Sequence, residues 1–206
     1  MLTNKQIKIF EPLTRTITKE SSIKEIKELS GEKSNNLLAL TLKKFKKEAL
    51  VTERKIGRSL LYTLNLDNDL VSNYITFSNN LKISNTALRA IKIIKEEVER
   101  HTPFFSIVVF GSYAIGKQTK ESDFDIAVFI EEEGKRKNIE SAIRLGELKT
   151  PLKIHSQVIS EKEFLEMLKS EDENLGKQIA RKHLSIYNSS IFYSLLKRGI
   201  NNGFRY

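Results

Sequence analysis

Two short stretches of this chain combine residue types suited to handling a charged phosphate. Phe110-Gly111-Ser112 closes an apolar run that begins at Phe104, and ten residues later Asp123-Phe124-Asp125-Ile126 opens a second apolar run reaching Ile130. Side chains two apart on a strand share a face. Asp123 and Asp125 are therefore expected to project together, while Phe124, Ile126 and Val128 face the other way. Adjacent carboxylates repel unless something compensates them. A divalent cation does so, and Mg²⁺ is commonly held by one or two carboxylates plus substrate phosphates. A Gly-Ser turn that opens a helix supplies the complementary half, with backbone N–H groups and a hydroxyl facing an anion. Without a metal, the same pair reads as Asp123 capping the strand start and Asp125 accepting hydrogen bonds from Ser112 or nearby amides.

The elements that must position these residues alternate. Leu88, Ile91, Ile94 and Val98 mark a helix, and a strand over 104–110 follows Pro103. A short helix is expected from Ser112 and a strand over 124–130, ending in the solvated acidic loop Glu131-Glu132-Glu133. Ile139, Ala142, Ile143 and Gly146 give a further helix, and Pro151 precedes a strand from Leu152 to Ile159. Ser160-Glu161-Lys162-Glu163 has the form of a capping box opening a helix with Phe164, Leu165 and Leu168. The tail from Leu175 reads as helical, with Asn188-Ser189-Ser190 capping a last apolar helix. His101 and His183 have no partner in sequence and read as structural or exposed, and Tyr187 and Tyr193 as core of the terminal helices.

Upstream, Ile7, Phe10 and Leu13 start a helical face despite Pro12. Ile23, Ile26 and Leu29 mark a second helix ended by Gly31, and Leu38, Leu42, Phe45 and Ala49 a third. Residues 50–52 and 60–64 read as two strands around a basic tip, 53–59. The polar segments Leu66-Asp67-Asn68-Asp69 and Ser78-Asn79-Asn80 read as breaks, giving domains 1–77 and 85–206 joined by a linker, 78–84.

The chain has 206 residues, 35 Lys plus Arg against 26 Asp plus Glu, and a net charge of +9, which favours a polyanionic partner. It has no cysteine, which excludes disulfides and thiolate metal sites and fits a reducing compartment. No apolar run approaches the ~20 residues of a membrane span, and the start, Met1-Leu2-Thr3-Asn4-Lys5-Gln6, has no signal-peptide apolar region. The expectation is a cytoplasmic protein without a membrane partner.

Three helices followed by a basic hairpin resemble a winged helix-turn-helix over roughly residues 3–66. That resemblance implies double-stranded DNA as partner, with the third helix in the major groove and the wing on phosphate. Lys43, Lys44, Lys46 and Lys47, with Arg54, Lys55 and Arg58 of the wing, would neutralise phosphates. Ser34, Asn35 and Asn36, near the start of the third helix, are the candidates for base-edge contacts. The other reading of this domain is a protein-interaction module with a solvated lysine face.

Gly111-Ser112 and Asp123-x-Asp125, with Ala114, Gly116 and Ser122 in the spacer, resemble the minimal nucleotidyltransferases of the DNA polymerase β superfamily, in particular small prokaryotic members. The resemblance covers roughly residues 85–170. It implies an α+β fold, a winged helix-turn-helix followed by a small mixed β-sheet flanked by helices. It also implies transfer of a nucleoside monophosphate from an NTP, ATP before the others, to an acceptor hydroxyl. Gly111, Ser112 and Lys117 would bind phosphates, Asp123 and Asp125 would hold Mg²⁺ or Mn²⁺, and His155 would join them in catalysis. Acceptors implied are a protein, a toxin partner among them, a small molecule or RNA. Two departures stand out. A third carboxylate is usual where this chain has His155, with Gln157 two residues on, and many small members have Arg where this chain has Ile115. The alternative function is a DNA-binding transcriptional regulator whose impaired nucleotidyltransferase fold senses nucleotide. A homodimer is compatible with either.

Overall fold

Eight residues suffice for the shortest helix of the N-terminal region because both ends are closed locally. Ser22 Oγ accepts from Glu25 N at 3.2 Å, and the Glu25 carboxylate accepts from Ser22 N at 2.7 Å, forming a capping box. The computed structural model describes residues 1–15, 17 and 19–205. The chain divides into two units, Met1–Ser78 and Asn79–Tyr206.

In the first unit, α1 (Asn4–Arg15) buries Ile7, Phe10 and Leu13 and contains Pro12. β1 (Ser21–Ser22) leads into α2 (Ile23–Ser30), and α3 (Asn35–Lys47) follows, with Phe45 meeting Phe10 edge to face at 5.7 Å. β2 (Val51–Ile56) and β3 (Ser59–Leu64) form a hairpin turned by Gly57 and Arg58 alone, and the sheet order is β1-β3-β2. α4 (Asp69–Asn80) closes the unit, burying Val71 and Ile75.

Several expectations are corrected here. Of the α2 triplet only Ile26 is buried; Ile23 and Leu29 are exposed. A three-residue spacing drifts by about 60° per step, so the outer two lie about 120° apart on a helix, more than one short contact can cover. Ala49 lies beyond the end of α3, exposed at φ +53°, and Leu50 takes the buried place. The tip 53–59 is mostly paired strand, because an exposed hairpin carries polar residues in its ladder without cost. The breaks at 66–69 and 78–80 flank and end a helix, α4, whose Asn and Ser content masked its apolar spacing. β1 has only two residues and left no signal.

The second unit opens with α5 (Asn85–Glu99), capped by Ser84, then β4 (Phe105–Val109), α6 (Gly111–Ala114) and β5 (Phe124–Ile130). α7 (Arg136–Glu147) crosses over to β6 (Ile154–Ser160), parallel to β5. α8 (Glu161–Lys169) starts on the expected capping box, Ser160 Oγ accepting from Glu163 N at 3.3 Å. α9 (Leu175–Arg181), β7 (Leu184–Tyr187) and α10 (Ser189–Asn201) complete it. The sheet order is β6-β5-β4-β7, with β4 antiparallel to both its neighbours. Phe105, Ile107, Val109, Phe124, Ile126 and Val128 pack with Ile91, Ile94, Ile139 and Ile143 of α5 and α7. On the other face Phe129 meets Phe164 of α8 at 4.8 Å and Phe192 of α10 at 5.0 Å. Both faces are covered, which is why β5 reads as an almost unbroken apolar run. This mixed α+β unit fits a nucleotidyltransferase fold.

Here too the sequence reading needs correction. Phe104 is exposed and outside β4, and β6 begins at Ile154 rather than Leu152. The helical tail is interrupted by β7, a four-residue edge strand too short to declare a period. Tyr187 is on β7, its hydroxyl donating to Glu99 Oε1 at 2.8 Å. Asn188 is left-handed (φ +51°) and its side chain makes no cap.

His183 is structural. Its Nδ1 lies 2.9 Å from Ile179 O and its Nε2 3.1 Å from the Tyr193 hydroxyl. A carbonyl only accepts, so Nδ1 carries the proton and Tyr193 donates to Nε2. Burial pushes the imidazole pKa down to about 4. An unfolded histidine protonates near ~6.5, so between these values the unfolded chain binds the extra proton. Stability is therefore full above that upper value and falls as pH drops toward 4, by at most roughly 3 kcal/mol, less for the residual exposure of the residue. Urea midpoints compared at pH 7 and 4.5 should show a smaller acid loss in His183→Gln than in the parent.

Candidate functional site

The register of two parallel strands assembles the candidate site. Asp125 on β5 pairs with His155 on β6, so both side chains leave the same face of the sheet. His155 Nδ1 lies 3.1 Å from Asp125 Oδ1, and Gln157 Nε2 lies 3.2 Å from His155 Nε2. The carboxylate only accepts, so Nδ1–H donates to Asp125 and Nε2 accepts from the Gln157 amide. His155 thus stands, held from both sides, where the resemblance noted in the sequence implied a third acid.

Pairing extends one residue further, Phe124 N donating to Lys153 O at 2.8 Å. This brings Lys153 beside Asp123. The ammonium is nearest to Oδ1, at 2.9 Å, but donates in hydrogen-bonding geometry to Oδ2, at 3.2 Å. Asp123 Oδ1 is buried and accepts no hydrogen bond among the described residues. The Lys153 side chain is 81% exposed, so the ion pair contributes little to stability.

The Gly-Ser turn meets Asp125 directly. Phe110 N donates to Asp125 O at 3.1 Å, which swings the chain across the end of β5. Gly111 follows at φ +65°, and a methyl group on it would collide with Asp125 Oδ2 and come within 3.1 Å of Cγ. Only glycine lets backbone and carboxylate approach this closely. Ser112 is half-buried in the first turn of α6, and its carbonyl accepts from Lys117 N at 3.0 Å. The Lys117 side chain is exposed on the loop that follows.

A cleft of about 490 Å³ lies over the turn. Phe110, Gly111, Ile115 and Asp125 line one side; Glu173, Gln178, Arg181 and Lys182 line the other. This second wall was missed in the sequence. Its only signal was the adjacent pair Arg181-Lys182, in a tail that carried no motif.

Among the described residues no three His, Asp or Glu side chains converge as a metal cage. The residues present nevertheless fit a cation that draws part of its coordination from a bound phosphate. Two carboxylates stand at one strand end, and the exposed Lys153 ammonium, 2.9 Å from Asp123 Oδ1, holds a place that a cation could take.

On the first unit the candidate nucleic-acid residues separate by partner. Ser34 is the N-cap of α3, accepting from Leu37 N at 3.2 Å, and Asn35 Oδ1 accepts from Lys27 at 2.6 Å. Lys44 donates to Gln6 Oε1 at 3.1 Å, Lys46 pairs with Glu53 at 2.6 Å, and Arg54 forms a two-point pair with Glu20. Asn36, Lys43, Lys47, Lys55 and Arg58 are exposed. The first three follow one stripe of α3, and Lys55 and Arg58 lie at the hairpin end.

No helix among the described residues is long and apolar enough to cross a membrane. Residues 91–192 match the family model described as nucleotidyltransferase domain, a span that contains every strand of the four-stranded sheet and both halves of the site. No curated protein and no solved structure matches the chain significantly.

Proposed function

We propose, from the nucleotidyltransferase domain of residues 91–192, that this chain transfers a nucleoside monophosphate from a Mg²⁺-bound NTP to an acceptor hydroxyl. The observation that carries the reading is the contact of Gly111 with the Asp125 carboxylate, which joins the phosphate turn and the second carboxylate of the Asp-x-Asp motif in one cleft. Gly111 and Ser112 hold the polyphosphate, with Lys117 exposed on the loop that follows. Asp123 and Asp125 hold Mg²⁺ or Mn²⁺. Bound there with the nucleotide, the metal supplies charge neutralisation on the phosphate oxygens and the leaving group. In the reaction the acceptor oxygen bonds to the α-phosphorus, the bond from that phosphorus to the bridging oxygen breaks, pyrophosphate leaves, and the acceptor proton passes to solvent or a base. His155 acts as a positioning residue that orients Asp125 through Nδ1–H.

The test is transfer of α-phosphate label from each NTP, ATP first, into host lysate with Mg²⁺ or Mn²⁺. Labelled product is expected, and its size distinguishes a protein acceptor, a toxin partner included, from RNA or a small molecule. Absence of both label and Mg²⁺–NTP binding would sink the reading. Nucleotide binding without transfer would support the second reading, a regulator that senses nucleotide. The observation favouring that alternative is His155 in the third-acid position, already engaged with Asp125.

The first unit is proposed as a winged helix-turn-helix that brings the site to double-stranded DNA. Its element order, its three-stranded sheet and the Gly57-Arg58 hairpin tip support this. The contact set narrows to Asn36 for bases and Lys43, Lys47, Lys55 and Arg58 for phosphates, since Lys44, Lys46 and Arg54 have internal partners. Replacing those four cations by Gln should lower the slope of log K against log salt by roughly 3 to 4, at ~0.9 per phosphate contact. Anisotropy titrations on a duplex at several salt concentrations measure it. An unchanged slope would count against the surface and favour a protein-interaction module. A homodimer, placing two such units on one duplex, belongs to the same proposal.

A further inference from the structure

The cleft has two walls of different character. On the side of the Gly-Ser turn, position 115 is an isoleucine, 44% exposed, and Lys117 is not part of the lining. The cleft's cations come instead from the end of α9, where Arg181 and Lys182 line the same cleft as Gly111 and Asp125.

Arg181 is poised but only partly used. Its Nη1 sits 2.8 Å from Glu173 Oε1 and 2.7 Å from Oε2. A guanidinium carries five N–H donors in a planar fork. Among the described residues no hydrogen-bond partner is found for its Nε or Nη2. The guanidinium carbon lies 6.0 Å from the Phe204 ring centroid, and that ring is buried. One side of the fork is thus backed by apolar surface. Carbonyls at the end of α9 do not compete for an incoming anion's place. Ile179 O and Ala180 O face His183 Nδ1, and Gln178 O accepts from Lys182 N at 3.0 Å.

A carboxylate and a phosphate make the same two-point contact with arginine, and the phosphate carries more charge. We propose that Arg181 clamps the terminal phosphates of the bound nucleotide, and that Glu173 is the internal anion it exchanges for them. The proposal rests on the nucleotide reading of the cleft. It assigns selectivity for a polyphosphate over a monophosphate to α9, an element outside the Gly-Ser and Asp-x-Asp motifs. The Glu173 pair holds the guanidinium in place, so the clamp is ordered before nucleotide arrives. It also weakens binding by competing for the same donors.

Calorimetry on the full chain with Mg²⁺ and ATP, and with AMP in competition, tests this. Arg181→Ala should weaken ATP binding by about tenfold or more, the loss of one charge-assisted contact, and change AMP affinity less than about twofold. Arg181→Lys should fall between. Glu173→Gln should tighten ATP binding, by roughly threefold, with no change for AMP. Thermal melts establish that each variant is folded. ATP affinity unchanged in Arg181→Ala, or ATP and AMP weakened equally, overturns the clamp. Should Arg181→Ala not fold, unchanged ATP affinity in Glu173→Gln overturns it. The underlying reading fails separately. In that case the parent chain binds no nucleotide, or Asp125→Asn binds Mg²⁺–ATP as well as the parent does, and the clamp falls with it.

Discussion

Asp125→Asn, and separately Asp123→Asn, should reduce nucleotide transfer by roughly a hundredfold to a thousandfold while leaving the chain folded. The expected size follows from removing a fixed charge that neutralises phosphate in a partly water-excluded site, where one such contact is commonly worth two to three orders of magnitude. The fold should survive because little depends on either charge. An Asn at 125 can still accept from His155 Nδ1–H through its carbonyl oxygen, which keeps the 3.1 Å contact. An Asn at 123 loses only its ion pair with the exposed Lys153. Label transfer beside urea unfolding measures both halves. Full transfer by either variant would remove that carboxylate from the site. Loss of transfer with a large loss of stability would leave the catalytic assignment unsupported. Binding adds a third readout: Mg²⁺-dependent ATP binding should weaken, whereas metal-free binding should change less.

Gly111→Ala is expected to damage both stability and nucleotide binding. Two effects add. A left-handed backbone costs a non-glycine residue roughly 1–2 kcal/mol, and Gly111 has φ +65°. The added methyl would also overlap the Asp125 carboxylate, and forcing atoms into occupied space costs typically ~1–3 kcal/mol. The variant should therefore lose roughly 2–5 kcal/mol, or retain stability only by pushing Asp125 off its place and losing nucleotide affinity. Gly116 gives the control. It has φ +68° but open space where a methyl would be, so Gly116→Ala should cost only the backbone penalty. Unfolding midpoints and ATP titrations of the two variants separate strain from collision. Equal effects would mean that the contact between turn and carboxylate has no special role.

The same comparison bears on the regulator alternative. A nucleotide sensor needs the turn and the acid pair for binding, so Gly111→Ala would impair it as well. It does not need transfer, so the label experiment alone separates the two functions. His155 lies at that division. Its hydrogen bond to Asp125 and its contact with Gln157 occupy both ring nitrogens, which suits orientation better than proton removal.

The sequence by itself singled out the candidate chemistry-bearing residues and determined most of the elements that carry them. Strand alternation was enough to turn Phe124, Ile126 and Val128 of β5 into the core and leave Asp125 outside that core, because period-two geometry is local. The capping box at Ser160 and the apolar face of α7 were legible for the same reason. Short or polar elements were not. β1 and β7 exist through pairing with distant strands, Ser21 with Tyr62 and Leu184 with Val109, and their own residues declare little. α4 was hidden by the Asn and Ser residues around its apolar positions. Tertiary structure alone decided three features of the candidate site. It brought His155 into register with Asp125 across a parallel crossover. It pressed Gly111 against the carboxylate. It supplied the second wall of the cleft from Arg181, Lys182 and Glu173. Each depends on residues from different elements, well separated along the chain, meeting in space. Such meetings are set by how helices cover the two faces of the sheet, which no local spacing encodes.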